Sequence, residues 1–148
     1  MRSLLDINIL LALHDPDHVH SEAAHDWWSE NSAEGWASCP ISENGFVRIC
    51  SGAVYSPRLG FSVDQCIGLL RAFQKEHDHE FWPDTVSLSD FNIFSFDRIV
   101  GPRQLTDVYM LALAVINNGR LVTFDRRVQL DAVVGAVDEH IEILGHHN

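Results

Sequence analysis

Apolar residues recur along this chain in two rhythms. Short runs stop at an acid or a proline, and longer stretches bring an apolar residue back every three or four positions. The short runs are Arg2 to Leu5 before Asp6, Trp36 to Cys39 before Pro40, His79 to Trp82 before Pro83, Leu121 to Phe124 before Asp125, and Ile141 to Leu144. Bounded runs of this length predict buried strands, the last an edge strand. Helical spacing fills the intervals. Ile9 to Leu13 forms a first stretch, broken at Asp15-Pro16-Asp17 because proline disfavours helix at the residue before it. Val19, Ala23 and Trp27 recur every four residues in a second, from Val19 to Asn31. Phe46, Val47, Ile49 and Cys50 predict a third over Ile41 to Gly52, and Pro57 and Gly60 mark a loop after it. Cys66, Ile67, Leu70 and Phe73 predict a helix over Val63 to His77, capped by Ser62. Phe91 to Ile99 reads as a weak helix. Leu105, Val108, Leu111, Ala112, Val115 and Ile116 give the strongest helix, with Thr106 as its N-cap and Gly119 as the left-handed residue that ends it. Val128 to Val137 is irregular. Strands alternating with helices predict an α/β fold with a parallel sheet and right-handed crossovers, and residues 1–148 read as one domain.

Charge narrows the functions open to such a fold. The net charge is −11 and Lys75 is the only lysine, so the chain has no broad electrostatic pull on nucleic acid. A polyanionic substrate would need cations recruited locally, as metal ions or a few arginines, and a basic partner segment is favoured. No apolar run reaches the roughly 18 residues of a membrane span. Ile7 to Leu13 is short and lacks a basic leader and cleavage site, so the cytoplasm is the expected location. Cys39, Cys50 and Cys66 are widely spaced, which suggests neither a zinc knuckle nor a disulfide framework.

In an open parallel sheet, ligands bind beyond the carboxyl ends of the strands. Asp6 and Asp125 sit there, Glu43 lies in the first turn of the helix after the second strand, and Asp107 lies in the first turn of the strongest helix. Four carboxylates crowded on one rim need a counter-charge. All-oxygen ligands suit hard ions, Mg²⁺ or Mn²⁺, which lower the pKa of a bound water and stabilise charge on phosphate. That chemistry is metal-dependent phosphodiester hydrolysis. Acids also cap helices and turns at such junctions in any α/β protein, so position alone leaves both readings open.

The motifs Leu4-Leu5-Asp6-Ile7-Asn8, Ser42-Glu43, Leu105-Thr106-Asp107-Val108-Tyr109 and Leu121-Val122-Thr123-Phe124-Asp125-Arg126, in that order, resemble a PIN domain, and more narrowly the VapC toxins of toxin–antitoxin pairs. His79-Glu80-Phe81-Trp82-Pro83-Asp84, followed by Ser87-Leu88, resembles the linker of one VapC subgroup. The resemblance covers nearly the whole chain. It implies a three-layer PIN-like fold, with a central, mostly parallel sheet flanked by helices. It implies an endoribonuclease that needs Mg²⁺ or Mn²⁺, forms a homodimer and is inhibited by a cognate VapB-type antitoxin. Metal-ligand roles fall on Asp6, Glu43, Asp107 and Asp125, and orienting roles beside the site on Asn8 and Thr123. Arg103, Arg126 and Arg127 either contact RNA phosphate or balance the acids.

Two other functions fit less of the sequence. A phosphatase of the haloacid dehalogenase type needs a second acid two residues after the first and a placed lysine; position 8 is Asn, and Lys75 has no motif around it. A non-catalytic PIN-like module that binds RNA or a partner has no need of all four acids. His14, His18 and His20 are close in sequence, but Pro16 breaks the helix that would align the first two, so solvated or capping roles are expected. His146 and His147 are terminal. Trp27 and Trp28 cannot both face one core; either one is buried and the other partly exposed, or one belongs to a binding groove for the antitoxin.

Overall fold

The computed structural model describes residues 1–54 and 60–145; the loop expected at Pro57 and the terminal His146 and His147 lie outside the described residues. Its centre is one sheet of β1 (Ser3–Leu5), β2 (Trp36–Ser38), β3 (His79–Phe81), β4 (Arg120–Thr123) and β5 (Ile141–Ile143). The spatial order is β3-β2-β1-β4-β5, and every neighbouring pair is parallel. A parallel sheet covered on both faces needs uninterrupted apolar strands. Leu4-Leu5, Trp36-Ala37 and Leu121-Val122 meet that demand and are fully buried.

Alternate residues of these strands feed two cores. Leu5, Trp36 and Val122 face α1 (Ile7–His14), α2 (Ser21–Asn31), α3 (Pro40–Cys50) and α4 (Val63–Glu76), packing with Leu10, Trp27, Phe46 and Phe73. Leu4, Ala37 and Leu121 face α5 (Leu105–Ile116) and the irregular C-terminal stretch, packing with Trp82, Phe94 and Met110. This is the expected three-layer arrangement. Among the described residues, no helix is long and apolar enough to cross a membrane.

Several local expectations change. The turn after Pro16 runs on to His20, so α2 begins at Ser21 and Val19 is 85% exposed; Ala24 and Trp27, not Val19 and Ala23, make the inward stripe. Trp27 is buried and Trp28 half-buried on Phe73, their ring centroids 5.0 Å apart. Phe91 to Ile99 is turns and a 3₁₀ segment rather than a helix: Asp90 organises a turn by accepting from the Asn92 N–H, and only Phe94 is driven into the core. The chain enters α5 from a 3₁₀ turn, so Gln104, not Thr106, holds the cap position, and Asp107 stays in the first turn. At the other end Asn118, with φ of 55°, takes the left-handed conformation expected of Gly119.

Candidate active site

Asp6 is the first residue after β1, and its own carboxylate starts α1: the Ile7 N–H donates to Asp6 Oδ1 at 2.7 Å. An acid at that place satisfies an otherwise orphan N–H of the helix. Because β4 lies beside β1 with Val122 opposite Leu5, Thr123 lands next to Asp6. The Thr123 hydroxyl donates to Asp6 Oδ2 at 2.7 Å and accepts from the Asp125 N–H at 3.0 Å. One buried hydroxyl thus links the two strand-end acids. Asp107 arrives from α5, close enough to Asp6 and Asp125 for their charges to act on its carboxyl. Arg127 folds back on Asp125, donating from its N–H at 2.8 Å, Nε at 3.2 Å and Nη2 at 3.3 Å.

Three carboxyls meet one guanidinium here, and the protons respond. Burial, then the charges of Asp6 and Asp125, push Asp107 up to about 7. Burial also raises Asp6, against the hydrogen bonds from Thr123 and Ile7, while the Arg127 hydrogen bond holds Asp125 below the usual carboxylate range. Near neutral pH, a proton and Arg127 together supply the missing counter-charge.

The sign for stability follows. Asp107 holds its proton more tightly folded than unfolded, where its value is near 3.8, so its ionisation costs stability progressively between pH about 4 and about 7. Asp107→Asn removes that cost. In EDTA, the melting temperature of Asp107→Asn relative to wild type is expected to climb across this window and to level off above it. A difference independent of pH would contradict the assignment.

Glu43 occupies the first turn of α3 as expected, after Pro40 at a position where a missing N–H costs nothing. Its carboxylate turns elsewhere. Oε2 accepts from Ser38 Oγ at 2.6 Å and from Gln74 Nε2 at 3.0 Å, and His79 Nε2 lies 2.7 Å from the same Ser38 oxygen. Since the Ser38 hydrogen points to Glu43, His79 is the donor to Ser38. Among the described residues, no hydrogen bond or ion pair joins Glu43 to the aspartates. The strand order explains this: α3 follows β2, one strand further from Asp125 than β1 is. Glu43 is held by Ser38 and Gln74, while Asp6 and Asp125 are joined through Thr123.

No family model matches the chain. Ribonuclease VapC44 of Mycobacterium tuberculosis is 46% identical over 144 residues, spanning 97% of this chain and 100% of that protein. The chain belongs to the VapC ribonuclease family. Ribonuclease VapC39 of the same organism is 39% identical over 138 residues, covering 93% of this chain and 99% of that one. Among solved structures, VapBC2 from Rickettsia felis, bound to a DNA fragment from their promoter, superposes with a TM-score of 0.58 at 14% identity. The match covers 98% of this chain and 100% of that one, and it shows the same fold.

The remaining polar residues of this VapC-family chain divide between the site and its surroundings. Asn8 is exposed on the first turn of α1, where it borders a cavity of about 620 Å³ that also opens on Asp125, Arg126 and Arg127. Of the two roles left open for the arginines, Arg127 balances an acid. Arg126 makes no ion pair among the described residues, and Arg103 is exposed in the turn before α5. Sequence reasoning did not place Ser38, Gln74 and His79 around Glu43, because a hydrogen-bond partner from a distant helix leaves no local pattern. His14, His18 and His20 are all part-exposed, and His20 holds the N-cap position of α2, where its backbone N–H donates to His18 Nδ1. His14 donates from Nδ1 to the Leu10 carbonyl at 2.8 Å between Phe46 and Phe73, while His18 and His20 gather around Phe124. As donors, Asp6, Asp107 and Asp125 are all-oxygen, the class that hard divalent cations take. Among the described residues, no group of three or more His, Cys, Asp or Glu is already arranged to hold an ion. Arg127 supplies the positive charge paired with Asp125.

Proposed function

We propose that the chain is a Mg²⁺- or Mn²⁺-dependent endoribonuclease, the toxin of a VapBC-type toxin–antitoxin pair, which hydrolyses RNA phosphodiester bonds with water as nucleophile. The observation that carries this is the convergence of Asp6, Asp107 and Asp125 with too little positive charge between them. Their oxygens fit a hard divalent ion, which Asp6, Asp107 and Asp125 would hold. When bound, the ion would neutralise charge on the phosphate and lower the pKa of the attacking water. The chain's own residues do the rest. Thr123 keeps Asp6 and Asp125 in register. Arg126 and Arg127, at the mouth of the cavity beside Asp125, offer planar forks to RNA phosphate. Glu43 stays in the proposal as a fourth acid, its Oε2 positioned by Ser38 and Gln74.

The test is cleavage of single-stranded RNA by purified protein with added Mg²⁺ or Mn²⁺, stopped by EDTA. RNA that binds without being cut in either metal would leave only the non-catalytic module. The acidic rim and the family together support a VapB-type antitoxin whose arginine reaches the carboxylates while an apolar helix holds the rest of it. A homodimer is proposed on the family alone. Light scattering reads both: a mass of two chains alone, and a larger mass with the antitoxin. A monomer that binds no basic, helix-bearing antitoxin would refute this part.

A further inference from the structure

We propose that Phe124, His20 and His18 form a stacking platform for one base of single-stranded RNA, placed directly beside the aspartate site. The inference rests on the ribonuclease reading above and adds how the substrate is held. Phe124 precedes Asp125, so its ring stands one residue from a site carboxylate and in the same cavity of about 620 Å³. The His20 ring lies 4.5 Å from it, with 25° between the planes. The His18 ring lies 6.3 Å away at 22°. All three rings are only half-buried, and the His20 N–H fixes His18 by donating to its Nδ1 at 3.0 Å. His18 and His20 are tilted 45° from each other, but each lies within about 25° of the Phe124 plane, and half-open rings so placed beside a cavity suit a flat apolar face, which every base offers.

The neighbours complete a nucleotide site. Arg126 is exposed, with no ion pair among the described residues, and suits a phosphate; the Asn8 amide suits a base edge. Net charge gives an independent reason. At −11, the chain cannot gather RNA by long-range attraction, so short-range contacts must supply the affinity, including ones that do not depend on charge. Stacking is such a contact. It requires an unpaired base, because bases in a duplex keep their faces covered, so the ligand class is single-stranded RNA.

The experiment is steady-state cleavage of a single-stranded RNA oligonucleotide, together with a series in which one base at a time is removed. His20→Ala is expected to raise KM about tenfold, the scale of one stacked base, with kcat within about twofold. His20→Phe should restore KM, since it keeps a ring and loses only the imidazole. One abasic position should cost wild type about tenfold in kcat/KM and cost His20→Ala almost nothing. His18→Ala repeats the test should His20→Ala fold poorly. If wild type cuts RNA and both variants keep its KM and its abasic profile, the platform is wrong while the ribonuclease reading stands. If wild type cuts no RNA, both fall.

Discussion

Asp6→Asn is expected to lower RNA cleavage by on the order of 100- to 1,000-fold while leaving the fold in place. The loss is chemical. A charge at the metal position is worth several kcal/mol of transition-state stabilisation, and each 1.4 kcal/mol or so is tenfold in rate. The fold survives because Asn keeps the oxygen that accepts from the Ile7 N–H at the start of α1. At the other oxygen, an amide replaces the acceptor of the Thr123 hydroxyl. Thr123 Oγ1 has lone pairs for both that amide and the Asp125 N–H, so the local network rearranges rather than breaks. Removing a buried carboxyl whose pKa is already raised also relieves a desolvation cost. Cleavage and the circular-dichroism melting curve should be measured on the same preparation. Cleavage at the wild-type rate would end the role given to Asp6, and a variant that no longer folds would show that Asp6 is needed for structure instead.

The rim on which Asp6 and Asp125 meet was readable because it needs so little: two apolar runs ending in acids, and a parallel sheet that puts both ends on one side. Asp107 followed from its place in the first turn of a strongly periodic helix. Glu43 shows where that logic stops. Its position was right, but the direction of a side chain depends on its partners, and Ser38 and Gln74 come from β2 and α4, 5 and 31 residues away. Phe124 extends the run Leu121-Val122-Thr123 and so reads as strand, yet the strand has already ended there and its ring meets two histidines from the turn before α2. The start of α2 was misplaced for a related reason. Val19 matches the helical spacing by chance, and the turn initiated at Pro16 takes two residues more than the pattern reveals.

A second large effect is expected at Gly119, where sequence and structure assign different reasons for the same residue. A helix stop would need glycine for its left-handed conformation, but that φ belongs to Asn118. Gly119 is needed for space. A Cβ there would lie 2.5 Å from Trp82 Cη2 and 2.6 Å from the carbonyl oxygen of Arg2. That oxygen accepts from the Arg120 N–H at 3.0 Å, at the start of the β1–β4 pairing, and the Gly119 N–H donates to Ala114 at 2.8 Å. Trp82 is 2% exposed and tied through Nε1 to Glu80 at 3.0 Å, so it has little room to turn. Gly119→Ala therefore forces the sheet or the indole to shift, and should cost about 3 kcal/mol, the upper end of ordinary over-packing. For a domain of this size that is a drop of roughly 6–12 °C in melting temperature. Gly68→Ala is the matching control. It lies on the exposed side of α4 with nothing within 4 Å of the added carbon, and is expected to gain up to about 1 kcal/mol from helix propensity. If Gly119→Ala melts within about 2 °C of wild type, less than 1 kcal/mol is at stake and the approach of Arg2 and Trp82 is not the constraint described. If Asn118→Gly instead destabilises as much as Gly119→Ala, the helix end and not the sheet contact sets the requirement.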